Sequence, residues 1–308
     1  MSFTPGQATV YTGIEEIGEL TRAMRKVGRP VVLVPTMGAL HEGHMALVRT
    51  ARRIPGALVV VSVFVNPLQF GEGEDLDSYP RTLDSDVQKL RAVGADAVFA
   101  PGAREMYPNG PRTSVHPGPL AEILEGAVRP VHFAGVLTVV NKLMHVTNCT
   151  HAVFGEKDYQ QLILVQQMVT DLNLGVQVHG VPVVREADGL AKSSRNVYLS
   201  ERERELAVTL SAALTAGAHA AEDGAEAVLS TARGVLDSVE GVEVDYLELR
   251  GTDLGEAPEV GDARLLVAAR VGSTRLIDNV GVPLGTGFRG AAEGAGVAED
   301  ATSGRVGK

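Results

Sequence analysis

Two histidines three positions apart, His41 and His44, stand in the run Pro-Thr-Met-Gly-Ala-Leu-His-Glu-Gly-His that begins at Pro35. An imidazole beside a helix N-terminus is a directional donor that stays neutral, and unpaired backbone N–H groups there attract anions. A phosphate whose charge grows during reaction suits such a place. The pair could equally hold a metal, although the zinc-protease pattern His-Glu-x-x-His is one residue longer. Both rings could also be surface residues. Further groups of the same chemical class follow. Lys157 lies in Phe-Gly-Glu-Lys-Asp-Tyr-Gln-Gln, and Ser193, Ser194 and Arg195 lie together in a glycine-containing loop. Cations and hydroxyls of this kind bind phosphate oxygens. A Lys-Asp pair at a helix start is also an ordinary electrostatic cap.

These side chains must be carried by particular elements. Residues 31–34 form a β-branched run typical of a strand buried on both faces. Pro35 ends it, Gly38 and Gly43 mark a bend, and helical apolar spacing starts at His44. Residues 58–65, Leu-Val-Val-Val-Ser-Val-Phe-Val, give the strongest buried-strand signal in the chain. Strand, helix, strand implies a right-handed crossover and parallel strands, with ligands at their carboxyl ends. His41 and His44 follow the first strand and Asn66-Pro-Leu-Gln69-Phe the second, so Gln69 is placed to present an amide; a loop glutamine without context is usually solvated.

The remaining pattern predicts helices over residues 13–26, 77–93, 136–144 and 159–172. It predicts short strands at 97–99, 152–154 and 176–184, and a Pro- and Gly-rich loop over 105–119. A Ser200/Glu203 capping box opens a helix to about residue 221, followed by a helix over 225–239. Strands at 242–249, 264–269 and 275–280 come after it without intervening helices. The expected fold class is therefore α/β: a Rossmann-like doubly wound parallel sheet over residues 1–184, then a smaller α+β domain over 185–284. Residues 285–308 are Gly- and Ala-rich without periodicity and are expected to be disordered. No internal repeat is present.

The 308 residues are enough for such a core, and a net charge of −10 argues against nucleic acid as the main partner. No apolar run reaches membrane-spanning length, and the N-terminus lacks signal-peptide features. The single Cys149 excludes an internal disulfide and a Cys-rich zinc site. A cytoplasmic protein with small-molecule substrates and no membrane partner is expected.

The strings above resemble those of the pantoate–β-alanine ligase family, within the His-x-Gly-His nucleotidylyltransferase superfamily. The resemblance spans roughly residues 10 to 283 and includes Arg129-Pro-Val-His-Phe-Ala-Gly. It implies a two-step reaction: the carboxylate of (R)-pantoate attacks ATP to give pantoyl adenylate and pyrophosphate, and β-alanine then displaces AMP. It implies ATP binding by Met37, Gly38, Ala39, Leu40, His41, Glu42, Gly43 and His44. Gly155, Glu156, Lys157 and Asp158 belong to the same implied set, with Val184, Lys192, Ser193, Ser194 and Arg195. Gln69, Gln161 and Arg129 are implied for pantoate and β-alanine. His44 is implied as a proton donor to pyrophosphate, with His41, Lys157, Ser193 and Arg195 as its catalytic companions. Mg²⁺ is expected with ATP, and Asp86, not Asp84, matches the acidic position for it. A homodimer is implied as well. Lys192 departs from the family, where methionine precedes Ser-Ser-Arg-Asn. Two rivals stay open: a nucleotidyltransferase that stops at a nucleotide product, and a non-catalytic nucleotide-binding regulator.

Overall fold

The computed structural model describes residues 4–288; most of the segment expected to be disordered lies outside the described residues. Six strands form one parallel sheet: β1 (Thr9–Tyr11), β2 (Val31–Thr36), β3 (Leu58–Val63), β4 (Ala97–Phe99), β5 (His151–Gly155) and β6 (Gln177–Val181). Their order is β1-β4-β3-β2-β5-β6. From β2 the chain runs outward through β3 to β4, then returns to pair β5 on the other side of β2, with Leu33 opposite Ala152. The strand order reverses between β2 and β5, and a crevice opens at their carboxyl ends.

Helices cover both faces. Val31 and Leu33 point into one apolar cluster with residues of α6 (His132–Val146) and α7 (Tyr159–Asp171), and α1 (Ile14–Lys26) adds Ile17 to it. Val32 and Val34 point into the other, against Leu47 and Val48 of α2 (Glu42–Arg52) and Leu90 of α3 (Leu83–Ala92). That two-sided burial explains why the strand sequences are continuous and not alternating. Two single-turn helices, α4 (Ala103–Met106) and α5 (Glu125–Val128), punctuate the long connection to α6.

A second sheet is antiparallel, in the order β7-β8-β9: β7 (Val242–Gly251), β8 (Gly261–Val271) and β9 (Thr274–Leu284). It packs on α8 (Glu201–His219) and α9 (Ala225–Asp237) through a separate cluster that includes Leu210, Leu214, Val228, Leu265 and Val267. The capping box is present: Glu203 N–H donates to Ser200 Oγ, and Ser200 N–H to the Glu203 carboxylate. No helix among the described residues is long and apolar enough to cross a membrane.

Several elements differ from expectation. The helix expected over 77–93 starts only at Leu83, because Pro80 steers the preceding residue away from helical backbone. The helix expected from 136 starts at His132. Strand β1, three residues long, was too short to give a period. The strand expected over 176–184 stops at Val181 because Pro182 offers no N–H to the ladder.

Candidate active site

His41 is the N-cap of α2 and His44 is its third helical residue. Gly43 N–H donates to His41 Nδ1 at 3.1 Å, and His41 N–H donates to His44 Nδ1 at 3.2 Å. This is a capping box in which two imidazoles replace the usual hydroxyl and carboxylate. A ring nitrogen that accepts is unprotonated, so each neutral ring carries its proton on Nε2. Burial pushes His41 down to about 4, helped by Lys157 and Lys192. Burial and the neighbouring His41 push His44 down to about 3. Both rings are neutral Nε2–H donors at physiological pH. The glycine between them has a steric reason: a Cβ at Gly43 would lie 2.9 Å from the His41 ring.

The bend before α2 is held from below. Gly38 and Ala39 have φ of +92° and +51°, left-handed backbone that costs an alanine about 1 kcal/mol. Asp86 offsets that cost. It is fully buried and accepts the N–H of Ala39 at 3.0 Å, the N–H of Leu40 at 2.9 Å and the hydroxyl of Thr82 at 3.1 Å. Lys89 closes the same bend by donating to the Leu40 carbonyl at 2.7 Å. The Asp86 carboxylate is thus engaged by backbone and hydroxyl donors and walled off from solvent, and it organises the bend. Asp84, two residues earlier on α3, is exposed.

Lys157 and Asp158 sit on a 3₁₀ turn, Glu156–Asp158, at the end of β5. Their charged groups are 3.6 Å apart. Lys157 and Arg195 hold the Asp158 carboxyl below the usual value. In a later connection, Ser193 caps a second 3₁₀ turn by accepting Arg195 N–H at 3.2 Å, and Ser194 meets the Tyr79 hydroxyl at 3.2 Å. Lys192 pairs with Glu186 at 2.5 Å. Arg195 makes two contacts with Asp75, at 3.0 and 3.2 Å, and Arg129 forks onto Glu74 at 2.5 and 2.9 Å.

Gln69 is oriented by a chain of hydrogen bonds. The Tyr107 hydroxyl donates to Asn66 at 2.9 Å, Asn66 donates to the Gln69 side-chain oxygen at 3.2 Å, and the Gln69 amide nitrogen reaches Met37 sulfur at 2.9 Å. Asn66 also donates to the Gly135 carbonyl at 3.1 Å. A Cβ at Gly135 would lie 2.1 Å from the Leu68 carbonyl oxygen, so only glycine lets α6 approach the Gln69 turn. His132 donates through Nδ1 to the Gln69 backbone carbonyl at 2.9 Å, and burial with Arg129 pushes it down to about 4.

One cavity of about 220 Å³ gathers Met37, His41, Gly43, His44, Gln69, Arg129, Gly155, Lys157, Asp158, Gln161, Val184, Lys192, Ser193, Ser194 and Arg195. An adjoining cavity of about 620 Å³ shares Lys157, Asp158, Gln161 and Arg195 with it and extends to β9. Gly38, Ala39, Leu40, Glu42, Glu156 and Asp86 do not line either wall. Ala39 and Leu40 turn their amides to Asp86, Glu42 pairs with Arg49, and Glu156 pairs with Arg264 of β8. Sequence reasoning missed Tyr79, His132, Glu74 and Asp75 at this site. Nothing in the acidic run Glu72-Gly-Glu-Asp told which carboxylates would meet an arginine.

The family model for pantoate-beta-alanine ligase matches residues 9–281. The chain belongs to the pantoate–β-alanine ligase family. It is 76% identical over 294 residues to the pantothenate synthetase of Corynebacterium jeikeium (strain K411), covering 96% of each chain. It is 62% identical over 283 residues to that of Mycobacterium sp. (strain KMS), covering 92% of this chain and 90% of the relative. Among solved structures, pantothenate synthetase from Thermus thermophilus superposes with a TM-score of 0.83 at 46% identity, over 88% of this chain and 98% of that one. The Francisella tularensis pantoate-beta-alanine ligase, solved with "Beta-gamma ATP and Beta-alanine", gives 0.74 at 32% identity, over 88% and 97%. As a pantoate–β-alanine ligase, the enzyme joins pantoate and β-alanine to form pantothenate.

Proposed function

We propose that the cavity between β2 and β5 carries both half-reactions, with ATP phosphates between the histidine pair and the Lys157/Arg195 side. The carboxylate oxygen of (R)-pantoate forms a bond to the α-phosphorus of ATP while the bond to the bridging oxygen breaks and pyrophosphate leaves. The amine of β-alanine, having lost a proton, then attacks the acyl carbon, and AMP departs with the former carboxylate oxygen. Neither step needs a covalent protein nucleophile; positioning and charge stabilisation are sufficient.

The observation that carries this reading is the fixed tautomer of the two rings. With Nδ1 of each ring accepting a backbone N–H, Nε2–H is the group left to meet a phosphate oxygen. His44 then acts by donating a hydrogen bond that strengthens as charge builds, and not as a proton source, since a neutral imidazole does not give up its last proton. This departs from the proton-donor role that the resemblance implied. Lys157 and Arg195 counter the polyphosphate charge, and Ser193 and Ser194 offer it hydroxyl donors. Gln69, Gln161 and Arg129 orient the small polar substrates.

Mg²⁺ with ATP is part of the proposal, and the donor chemistry accommodates it. Asp158 lines the cavity, with its side chain half exposed and its carboxyl held ionised, and it is the carboxylate that would share the ion with the phosphates. Bound there, Mg²⁺ would screen the triphosphate charge. Family resemblance also supports a cytoplasmic homodimer, and light scattering of the purified protein tests its dimeric state directly.

The test is His44→Ala. Pyrophosphate release from ATP and pantoate, measured before β-alanine is added, should fall about 100- to 1,000-fold, the usual loss for one oxyanion donor, while thermal unfolding still shows one cooperative transition. An unchanged release rate rejects the role. AMP should form only when pantoate and β-alanine are both present.

A further inference from the structure

The Lys157 turn and the Lys192–Arg195 segment follow different strands and line one cavity. Two adjacent residues of β9, Asn279 and Asp278, hold the first directly and the second through Arg185. The Asn279 side-chain amide donates to two consecutive carbonyls of the turn, Glu156 at 2.9 Å and Lys157 at 3.0 Å. That turn has no side-chain cap of its own. Asp278 accepts both terminal nitrogens of Arg185, at 2.6 and 3.0 Å. Arg185 in turn donates to the Gly189 carbonyl at 3.1 Å, which closes the loop leading into Lys192. A backbone bridge pairs Arg185 with Ala191, and Lys192 N–H donates to the Val184 carbonyl at 2.9 Å. The loop's base is therefore a rigid extension of Arg185.

Adjacent strand residues normally face opposite ways, one toward the core and one toward solvent. Here both are buried, with exposures of 4% for Asp278 and 3% for Asn279. The Asp278 carboxylate also accepts the Asn279 N–H at 2.7 Å, which locks the two residues to each other. A two-residue link of this stiffness fixes a distance. We infer that Asp278 and Asn279 are a positioning pair that sets the spacing between Lys157 and the Lys192–Arg195 loop for the adenylation step. The inference rests on the reading of Lys157 and Arg195 as phosphate contacts. Neither β9 residue touches substrate in it; Asn279 acts through the turn that carries Lys157, and Asp278 through Arg185 and the loop that leads to Arg195. Arg264 of β8, ion-paired to Glu156 and stacked 3.9 Å over the Tyr159 ring, holds the same turn independently. Loss of Asn279 alone should therefore loosen the turn without unfolding it.

The experiment is a double-mutant cycle on the full chain, read as pyrophosphate release from ATP and pantoate. Asn279→Ala should lower kcat about 10- to 100-fold, the cost of an ångström-scale misplacement, with KM for pantoate unchanged. In a Lys157→Ala background the same substitution should cost less than about two-fold, because residues that act as one unit do not add. Asp278→Asn should behave likewise against Arg195→Ala. Full additivity in both backgrounds, or an unchanged kcat for Asn279→Ala, overturns the positioning role while leaving the site reading intact. A Lys157→Ala enzyme at the normal rate overturns the site reading, and the inference with it. Should Asn279→Ala fail to accumulate folded, Asn279→Ser keeps one short donor and should give an intermediate loss that also vanishes without Lys157.

Discussion

His44 Nδ1 accepts the backbone N–H of His41 at 3.2 Å, and the two ring centroids are 4.1 Å apart. One contact thus caps a helix, sets a tautomer and brings two donors to the same spot. The helix that needs capping is also the helix whose positive end faces the cavity, so the stability and the chemistry of the site share their atoms.

The pH dependence of stability follows from three half-buried histidines. His41 and His132 are pushed down to about 4 and His44 to about 3, against about 6.5 in the unfolded chain. Between those limits the unfolded state binds more protons than the folded one, so stability rises with pH there and is lost as pH falls below about 6.5. The expected slope is about 1.4 kcal/mol per pH unit for each group. Urea unfolding midpoints from pH 7 to pH 4.5 check it. His44→Asn should flatten the curve, and a curve as steep as the parent's would show that this ring does not titrate as described.

Asp86→Ala should act on the bend and not on metal. It leaves the buried N–H groups of Ala39 and Leu40 without partners, at a cost of about 3 kcal/mol. The apparent Kd for Mg²⁺, titrated in the presence of ATP, should stay within about two-fold of the parent. A drop of the melting temperature by several degrees with unchanged Mg²⁺ dependence is the expected pair of results. A large Mg²⁺ effect with normal stability would support the metal role.

Gln69→Ala should weaken pantoate binding about 10-fold and leave ATP binding unaltered, because the amide bonds to Asn66 and to the Met37 sulfur and to neither imidazole of the histidine pair. Calorimetric titration of each ligand separates the two. Loss of both affinities, or of neither, counts against the assignment.

Gly135→Ala tests how α6 positions that amide. The added Cβ would lie 2.1 Å from the Leu68 carbonyl oxygen and 2.6 Å from Gln69 N, so helix and turn must separate. A destabilisation of about 2 kcal/mol or more is expected, together with weaker pantoate binding. Unaltered stability would mean that the two segments do not pack as closely as described.

Much of this was legible in the linear chain. Continuous β-branched runs identified β2 and β3 as strands buried on both faces, and glycine bends followed by helical spacing located His41, His44 and Lys157 at strand ends. The antiparallel second unit was legible from strands without intervening helices. The family strings supplied the reaction and most residues now found around one cavity. Contacts between distant segments were not legible. Asp86 looked like an acid available to a metal, because its partners, the amides of Ala39 and Leu40, lie 47 and 46 residues away. The pairing of Arg195 with Asp75 spans 120 residues, and that of Asn279 with Glu156 spans 123. Periodicity reports which face of an element is apolar and where it stops. Which polar side chain meets which backbone group depends on how the sheet order reverses at β2 and β5 and on where β9 docks, and those distances exist only once the chain has folded.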